Sequence, residues 1–234
     1  MRTHIRNKTD GDALQHYQKE KFNWSNEVLN QICWKELGSV LAKYKPVKQT
    51  RTIQMMYNWQ YVGRRRELIT GTGGKCKGCG MEETKLHYLT CNAQFIVNKQ
   101  KKVQSLLKSQ LEAMNTYPGV ITAIMYILQE GITDKWKSTI ETSGFLDSLL
   151  LKAIDQQQQI GDMNLARGFL TTRWAIVQQA WDKIHICKKY KGVWIRDAIM
   201  AIQTYTLECW KLRNEYEYGG KNAQMIQGLY LSTK

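Results

Sequence analysis

The chain has 234 residues, with 34 lysines and arginines against 20 aspartates and glutamates, a formal net charge of +14. An apolar fraction of 43% with 10% aromatics excludes a chain disordered throughout, and no run of about 18 apolar residues is present to cross a membrane as a helix. The positive excess points to an acidic partner, of which nucleic acid is the commonest.

Residues 1–21 are polar and read as a lead-in. No apolar stretch of the secretory kind follows Met1-Arg2-Thr3-His4-Ile5-Arg6, so the expectation is an intracellular protein that is not secreted. Basic density peaks early: residues 1–75 hold 14 basic and 6 acidic side chains, the remainder 20 and 14. From Phe22 to Tyr44 the apolar residues Trp24, Val28, Leu29, Ile32, Cys33, Leu37, Val40 and Leu41 recur mostly at steps of three and four. That spacing predicts one or two amphipathic helices, ended by Pro46. A second helix is expected over 52–61, carrying Ile53, Met56, Tyr57 and Trp59. Gly63-Arg64-Arg65-Arg66 follows, and Gly71, Gly73 and Gly74 mark turns. Gly71-Thr72-Gly73-Gly74-Lys75 fails as a phosphate loop, because residue 69 is Ile where glycine is needed and residue 76 is Cys where Ser or Thr is needed.

Residues 95–112 read as a basic helix, with Lys99, Lys101, Lys102 and Lys108 around Val103, Leu106, Leu107 and Leu111. Pro118-Gly119 reads as a loop, Asp134-Lys135 as a helix start, and 120–129 and 145–155 as helices. Leu170, Trp174, Val177, Trp181 and Ile184 form a helical stripe of core width. A second helix over 194–214 aligns Ile195, Ala198, Ile202, Tyr205, Cys209 and Leu212. The basic segment 188–192 joins the two as an antiparallel hairpin, closed by Gly219-Gly220. The expected fold is mainly α: a helical region over 22–115 with an embedded CCHC zinc knuckle, a helical domain over 120–220 with the tryptophan-rich hairpin, and a tail over 221–234.

Six cysteines occur, and three lie within sixteen residues together with one of only four histidines: Cys76-x2-Cys79-x7-His87-x3-Cys91. Cys76-Lys77-Gly78-Cys79 reads as a knuckle in which glycine lets the backbone aim two sulfurs at one ion. Glu83-Thr84 can open a helix with Thr84 as N-cap, which places His87 and Cys91 at i and i+4 on one face. Four soft or borderline ligands with no open position suggest structural, tetrahedral zinc. Cys33, Cys187 and Cys209 lie in apolar patterns and read as core thiols. Glu141, Asp147, Asp155 and Asp162 sit on polar faces or at helix ends and form no acid–base or metal-dependent nuclease set, so no enzyme activity is expected.

The cluster Cys76-x2-Cys79, Glu83-Thr84-x2-His87-x3-Cys91 resembles the zinc-binding segment that follows the polymerase domain in eukaryotic retroelement reverse transcriptases, above all those of algal type. Ile32-Cys33-Trp34-Lys35 and the basic stretch 51–66 are similar to that subgroup upstream of the zinc segment. Gln158-Gln159-Ile160-Gly161, Gly168-Phe169-Leu170-x3-Trp174 and Trp210-x2-Arg213-Asn214-x4-Gly219 are similar downstream. Tyr218 stands where the family often has histidine, and Lys77-Gly78 where its first knuckle commonly has proline. No polymerase domain is present in the chain. The resemblance therefore implies either a fragment or a stand-alone derivative of such a tail, and Met1 favours the second. It also implies a nuclear location.

The functional expectation is a zinc-stabilised nucleic-acid-binding module without catalytic activity. Arg64, Arg65 and Arg66 before the zinc loop, Lys75, Lys77 and Lys85 within or beside it, and Lys99, Lys101 and Lys102 after it would contact phosphates. Tyr57, Trp59 and Tyr61 would stack on unpaired bases, unless Trp59 is core. Two alternatives stand beside this reading: a protein-interaction or self-assembly module built on Trp174, Trp181, Trp194 and Trp210, and an endonuclease remnant.

Overall fold

A computed structural model describes residues 16–57, 59–60, 62–71, 73–84, 86–140, 144–185, 190 and 192–219, without the side chains at 64–66, 70 and 135. Tyr61, Lys85, Glu141 and Cys187, the basic joint at 188–189, and the tail from residue 220 onward lie outside the described residues. The described residues are mainly helical. In chain order the helices are 16–22 (α1), Asn26–Asn30 (α2), Trp34–Lys43 (α3), Pro46–Met56 (α4), Gly63–Thr70 (α5), His87–Thr90 (α6), Gln94–Ala113 (α7), Pro118–Glu130 (α8), Asp134–Lys137 (α9) and Phe145–Gln159 (α10). A 3-10 helix, Asp162–Arg167, then precedes Thr172–Ile184 (α11) and Trp194–Tyr218 (α12). No described helix is long and apolar enough to cross a membrane.

Both prolines start helices instead of breaking them. Pro46 and Pro118 occupy the first turns of α4 and α8. The missing N–H costs nothing there and the fixed φ suits the helix. Pro46 thus begins the second helix six residues earlier than expected, and Pro118-Gly119 belongs to α8. Arg64, Arg65 and Arg66 lie in the short α5, which ends at Gly71 in the left-handed conformation (φ 72°).

One large apolar core gathers residues from almost every helix. Leu37 and Val40 come from α3, Leu107 and Leu111 from α7, and Trp174 and Val177 from α11. The helix α8 is buried nearly all round, through Val120, Ile121, Ala123, Ile124, Ile127 and Leu128. Each valine, leucine or isoleucine among them contributes about 1.5–3 kcal/mol on full burial. The longest helix, α12, buries Ala198, Ile199, Ile202, Tyr205 and Cys209 and packs most extensively on α7 and α3. It also touches α11, as a hairpin requires, but α11 packs mainly on α10. The α11 stripe is core from Leu170 to Val177 and fades outward, leaving Ile184 exposed. Cys33 and Cys209 are buried thiols, which burial pushes up to about 12, with Glu36 adding at Cys33 and Tyr205 opposing at Cys209.

Buried tryptophans keep hydrogen-bond partners. Trp24 donates to the Ile160 carbonyl, Trp174 to Gln157 and Trp194 to Thr116. The segment between α2 and α3 is pinned to the start of α11, since Cys33 N–H donates to Leu170 (2.9 Å) and Thr172 N–H to Gln31 (2.8 Å).

Candidate metal centre

The loop between α5 and α6 is a tight hairpin. Lys75 and Glu82 form an antiparallel bridge, Cys76 N–H donates to the Met81 carbonyl (2.8 Å), and Gly80 N–H donates back to Cys76 (2.9 Å). The left-handed turn residue is Gly80 (φ 74°), not Gly78. Gly78 is required for space: a Cβ there would stand 2.7 Å from the Ala93 methyl and 3.1 Å from the Tyr216 ring.

This hairpin brings Cys76 and Cys79 to His87 and Cys91. The four ligand atoms all lie within 4.8 Å of one another, so the group could hold a metal ion. Cys76 Sγ and Cys91 Sγ are 3.8 Å apart, and Cys79 Sγ and His87 Nε2 are 3.1 Å apart. Cys76 and Cys91 are buried, while Cys79 and His87 are half-buried. The three cysteines form a small cluster with Ala93 and Ile96, separate from the main core. His87 opens α6, a single turn, and Cys91 is its C-terminal cap in an extended conformation. The i, i+4 pairing therefore rests on one turn and not on a full helix face.

Burial holds the His87 imidazole below its ordinary value, with Glu83 opposing and Arg213 adding. A neutral imidazole is the form that ligates metal. Burial pushes the bare Cys91 thiol up to about 12, with the Ala93 N–H opposing and Cys76 adding. Thiols packed this closely ionise when a cation offsets their charge, so metal uptake here releases protons.

The expected helix opening at Glu83-Thr84 is not formed. Leu86 caps α6, Thr84 is exposed, and Glu83 is buried. The Glu83 carboxylate accepts both Nε–H and Nη2–H of Arg213, the latter at 2.5 Å. Its Oε2 also accepts the Gly63 N–H at 2.6 Å. Gly63 is needed for this approach, because a Cβ would lie 2.7 Å from Glu83 Oε2 and 2.9 Å from the Gly73 carbonyl. Burial opposes the Arg213 charge, but Glu83 outweighs it and holds the guanidinium above its ordinary value. Arg213 also stands over the Trp210 and Tyr218 rings at 5.1 and 5.4 Å. One carboxylate thus joins the metal hairpin, the start of α5 and the end of α12. The Trp210-x2-Arg213-Asn214 segment carries the signal for this clamp in sequence, while its partner Glu83 resembles an ordinary helix-opening residue.

The basic residues divide. Lys75, Lys101 and Lys102 are exposed. Lys77 pairs with Glu217 (3.4 Å) and Lys99 with Glu215 (3.6 Å), both acidic partners coming from α12. Arg64, Arg65 and Arg66 are carried on α5 directly after Gly63. Trp59 is 48% exposed, stacked on Tyr57 with ring centroids 4.5 Å apart, and is not a core residue. Trp174 and Trp194 are buried, and Trp181 and Trp210 half-buried. Among the carboxylates, Asp147 accepts from Tyr117 (2.7 Å), Asp155 pairs with Lys137 (3.0 Å), and Asp162 accepts from the Ile132 and Met163 N–H groups (both 2.8 Å). These contacts hold helices and loops together. No known family, curated protein or solved structure matches the chain.

Proposed function

We propose that the chain is a zinc-stabilised nucleic-acid-binding accessory module, of the kind that retroelement reverse transcriptases carry after the polymerase domain, and that it works inside the cell, in the nucleus. The closure of Cys76, Cys79, His87 and Cys91 carries this reading. At a zinc–sulfur distance of about 2.3 Å, two sulfurs of a tetrahedral site stand about 3.8 Å apart, which is the observed Cys76–Cys91 separation of 3.8 Å. Three thiolates and one imidazole suit zinc among the common divalent ions. Four protein ligands leave no position for a substrate or an activated water, which favours a structural ion.

Support for an acidic polymer as partner comes from the lysines around this centre. Lys75, Lys101 and Lys102 present free charge to solvent. Both members of the Lys99–Glu215 pair are partly solvated, while in Lys77–Glu217 the lysine is exposed and the carboxylate buried. A pair solvated on both sides, such as Lys99–Glu215, contributes at most about 1 kcal/mol, so phosphates can compete for Lys99, and exposed Lys77 can meet a phosphate while keeping its buried partner. Arg64, Arg65, Arg66 and Lys85 belong to the same proposed set.

Elemental analysis and a salt titration test the reading together. One zinc per folded chain is expected, with affinity for nucleic acid falling linearly as log affinity against log salt. A folded zinc-free chain, or affinity indifferent to ionic strength, overturns it. A second reading, a helical assembly module, has one observation in its favour: Ile176 and Ile184 are exposed two turns apart on α11. Sedimentation of a monomer at high concentration removes that alternative.

A further inference from the structure

The geometry points to a base-stacking site for single-stranded nucleic acid beside the metal hairpin, built from Phe95 and Tyr216. The inference rests on the nucleic-acid reading above and names where, and in what form, the polymer is held. Phe95 lies in the first turn of α7 and Tyr216 in the last turn of α12, so distant parts of the chain converge here. Their rings lie 5.4 Å apart at 35° and are not sealed by the protein: Phe95 is 44% exposed and Tyr216 39%. Rings exposed to this extent forgo part of the benefit of burial, so two of them paired at one edge of the metal centre invite a third planar group.

The local chemistry selects that group. Lys99 Nζ stands 4.4 Å from the Phe95 ring centroid. Lys102 follows Phe95 by seven residues on the same face of α7 and is exposed. On the other side, Lys77 reaches the Glu217 carbonyl (3.2 Å), next to Tyr216. Cations therefore flank two rings, the arrangement that takes an unpaired base on the aromatic face and its phosphates on the lysines. Glu215 and Glu217 position Lys99 and Lys77; phosphate must compete with half-exposed Glu215 for Lys99, whereas buried Glu217 stays with Lys77. A duplex keeps its bases stacked inside and cannot use the rings.

The metal hairpin backs the site: Gly78 lies against the Tyr216 ring, and Ala93 stands between Cys91 and α7.

The test uses the full zinc-loaded chain with fluorescently labelled 15-mers of deoxythymidine and uridine, an abasic 15-mer of the same charge, and a duplex. The wild type should bind the base-bearing strands about tenfold or more tighter than the abasic strand, the scale of one stacked base. Phe95→Leu with Tyr216→Leu should erase that ratio while leaving abasic binding, its salt dependence and zinc content unchanged. Photocrosslinking of a 5-iodouridine strand to the wild type should label Phe95 or Tyr216, a readout that needs no variant. A retained base-to-abasic ratio, or crosslinks confined to other residues, overturns the stacking site while salt-dependent binding upholds the wider reading. Failure of the wild type to bind any strand overturns both. Loss of self-association in the double variant, with strand binding unaltered, reassigns the rings to a contact between copies.

Discussion

The large apolar core and the metal hairpin hold themselves together by different means. The core draws on Leu37, Leu111, Ile124, Phe169, Trp174, Ile202 and their many neighbours, all fully or almost fully buried. Its stability is spread over dozens of contacts, and no single one decides the fold. Among the described residues, the apolar cluster at the hairpin is Cys76, Cys91, Ala93 and Ile96 with half-buried Cys79 against them. So small a cluster cannot offset the entropy of ordering its loop. It relies on a few strong, directional interactions: whatever ion the Cys76, Cys79, His87 and Cys91 site takes up, and the Glu83–Arg213 pair at its base. The first region should degrade gradually under mutation, and the second should fail at single atoms.

The largest expected effect lies at the ligands. Cys79→Ser, or a strong chelator on the wild type, should release the ion and unfold the segment around residues 70–95, because structural zinc contributes about 10–16 kcal/mol of apparent folding energy in small zinc domains. Hydrogen exchange should show protection lost there and kept in α8 and α10. A single cooperative collapse of all helices would break the comparison.

Next comes the clamp. Arg213→Met leaves the Glu83 charge buried and unpaired, a loss of about 3–5 kcal/mol to be read from the urea midpoint. Replacing both partners by apolar residues should restore much of it, and a double variant no better than the single would count against burial of the charge as the cause. Gly78→Ala should cost about 1–3 kcal/mol by overpacking against Ala93 and Tyr216 and should weaken zinc affinity in a competition titration. Ile202→Val in the main core should cost about 0.5–1.5 kcal/mol with zinc affinity unchanged, which sharpens the separation of the two regions. Smallest in stability, within about 0.5 kcal/mol, is Lys101→Glu with Lys102→Glu. If these lysines touch phosphates, that pair should lower the salt slope of nucleic-acid binding by about two.

Much of this organisation was legible in the sequence where the signal was local. The four ligands sit within sixteen residues and their spacing points to one site. The three-and-four spacing on α12 located the buried side of the longest helix, from Ile195 to Cys209. What stayed hidden was non-local or ambiguous in kind. Glu83 and Arg213 are 130 positions apart, and no periodicity links a loop carboxylate to a guanidinium on a distant helix. The prolines were ambiguous because the same locked φ that stops a helix also starts one, which is what Pro46 and Pro118 do. Trp59 fits an apolar pattern, yet α4 ends at Met56 and leaves it at the surface. Lys77 and Lys99 look like free charge until α12 brings Glu217 and Glu215 beside them.

The position of Arg213 has a consequence for synthesis. A chain emerging from the ribosome carries all four metal ligands once residue 91 is out, and chains generally fold as they are made. The carboxylate that anchors the hairpin then waits about half a chain length for its guanidinium. Until α12 is made, Glu83 lacks the guanidinium that pairs it in the folded chain. If the proposed ion binds, its ligands are therefore complete well before the clamp can close, and a nascent chain stalled before residue 213 would display a finished metal knuckle on an unfinished body.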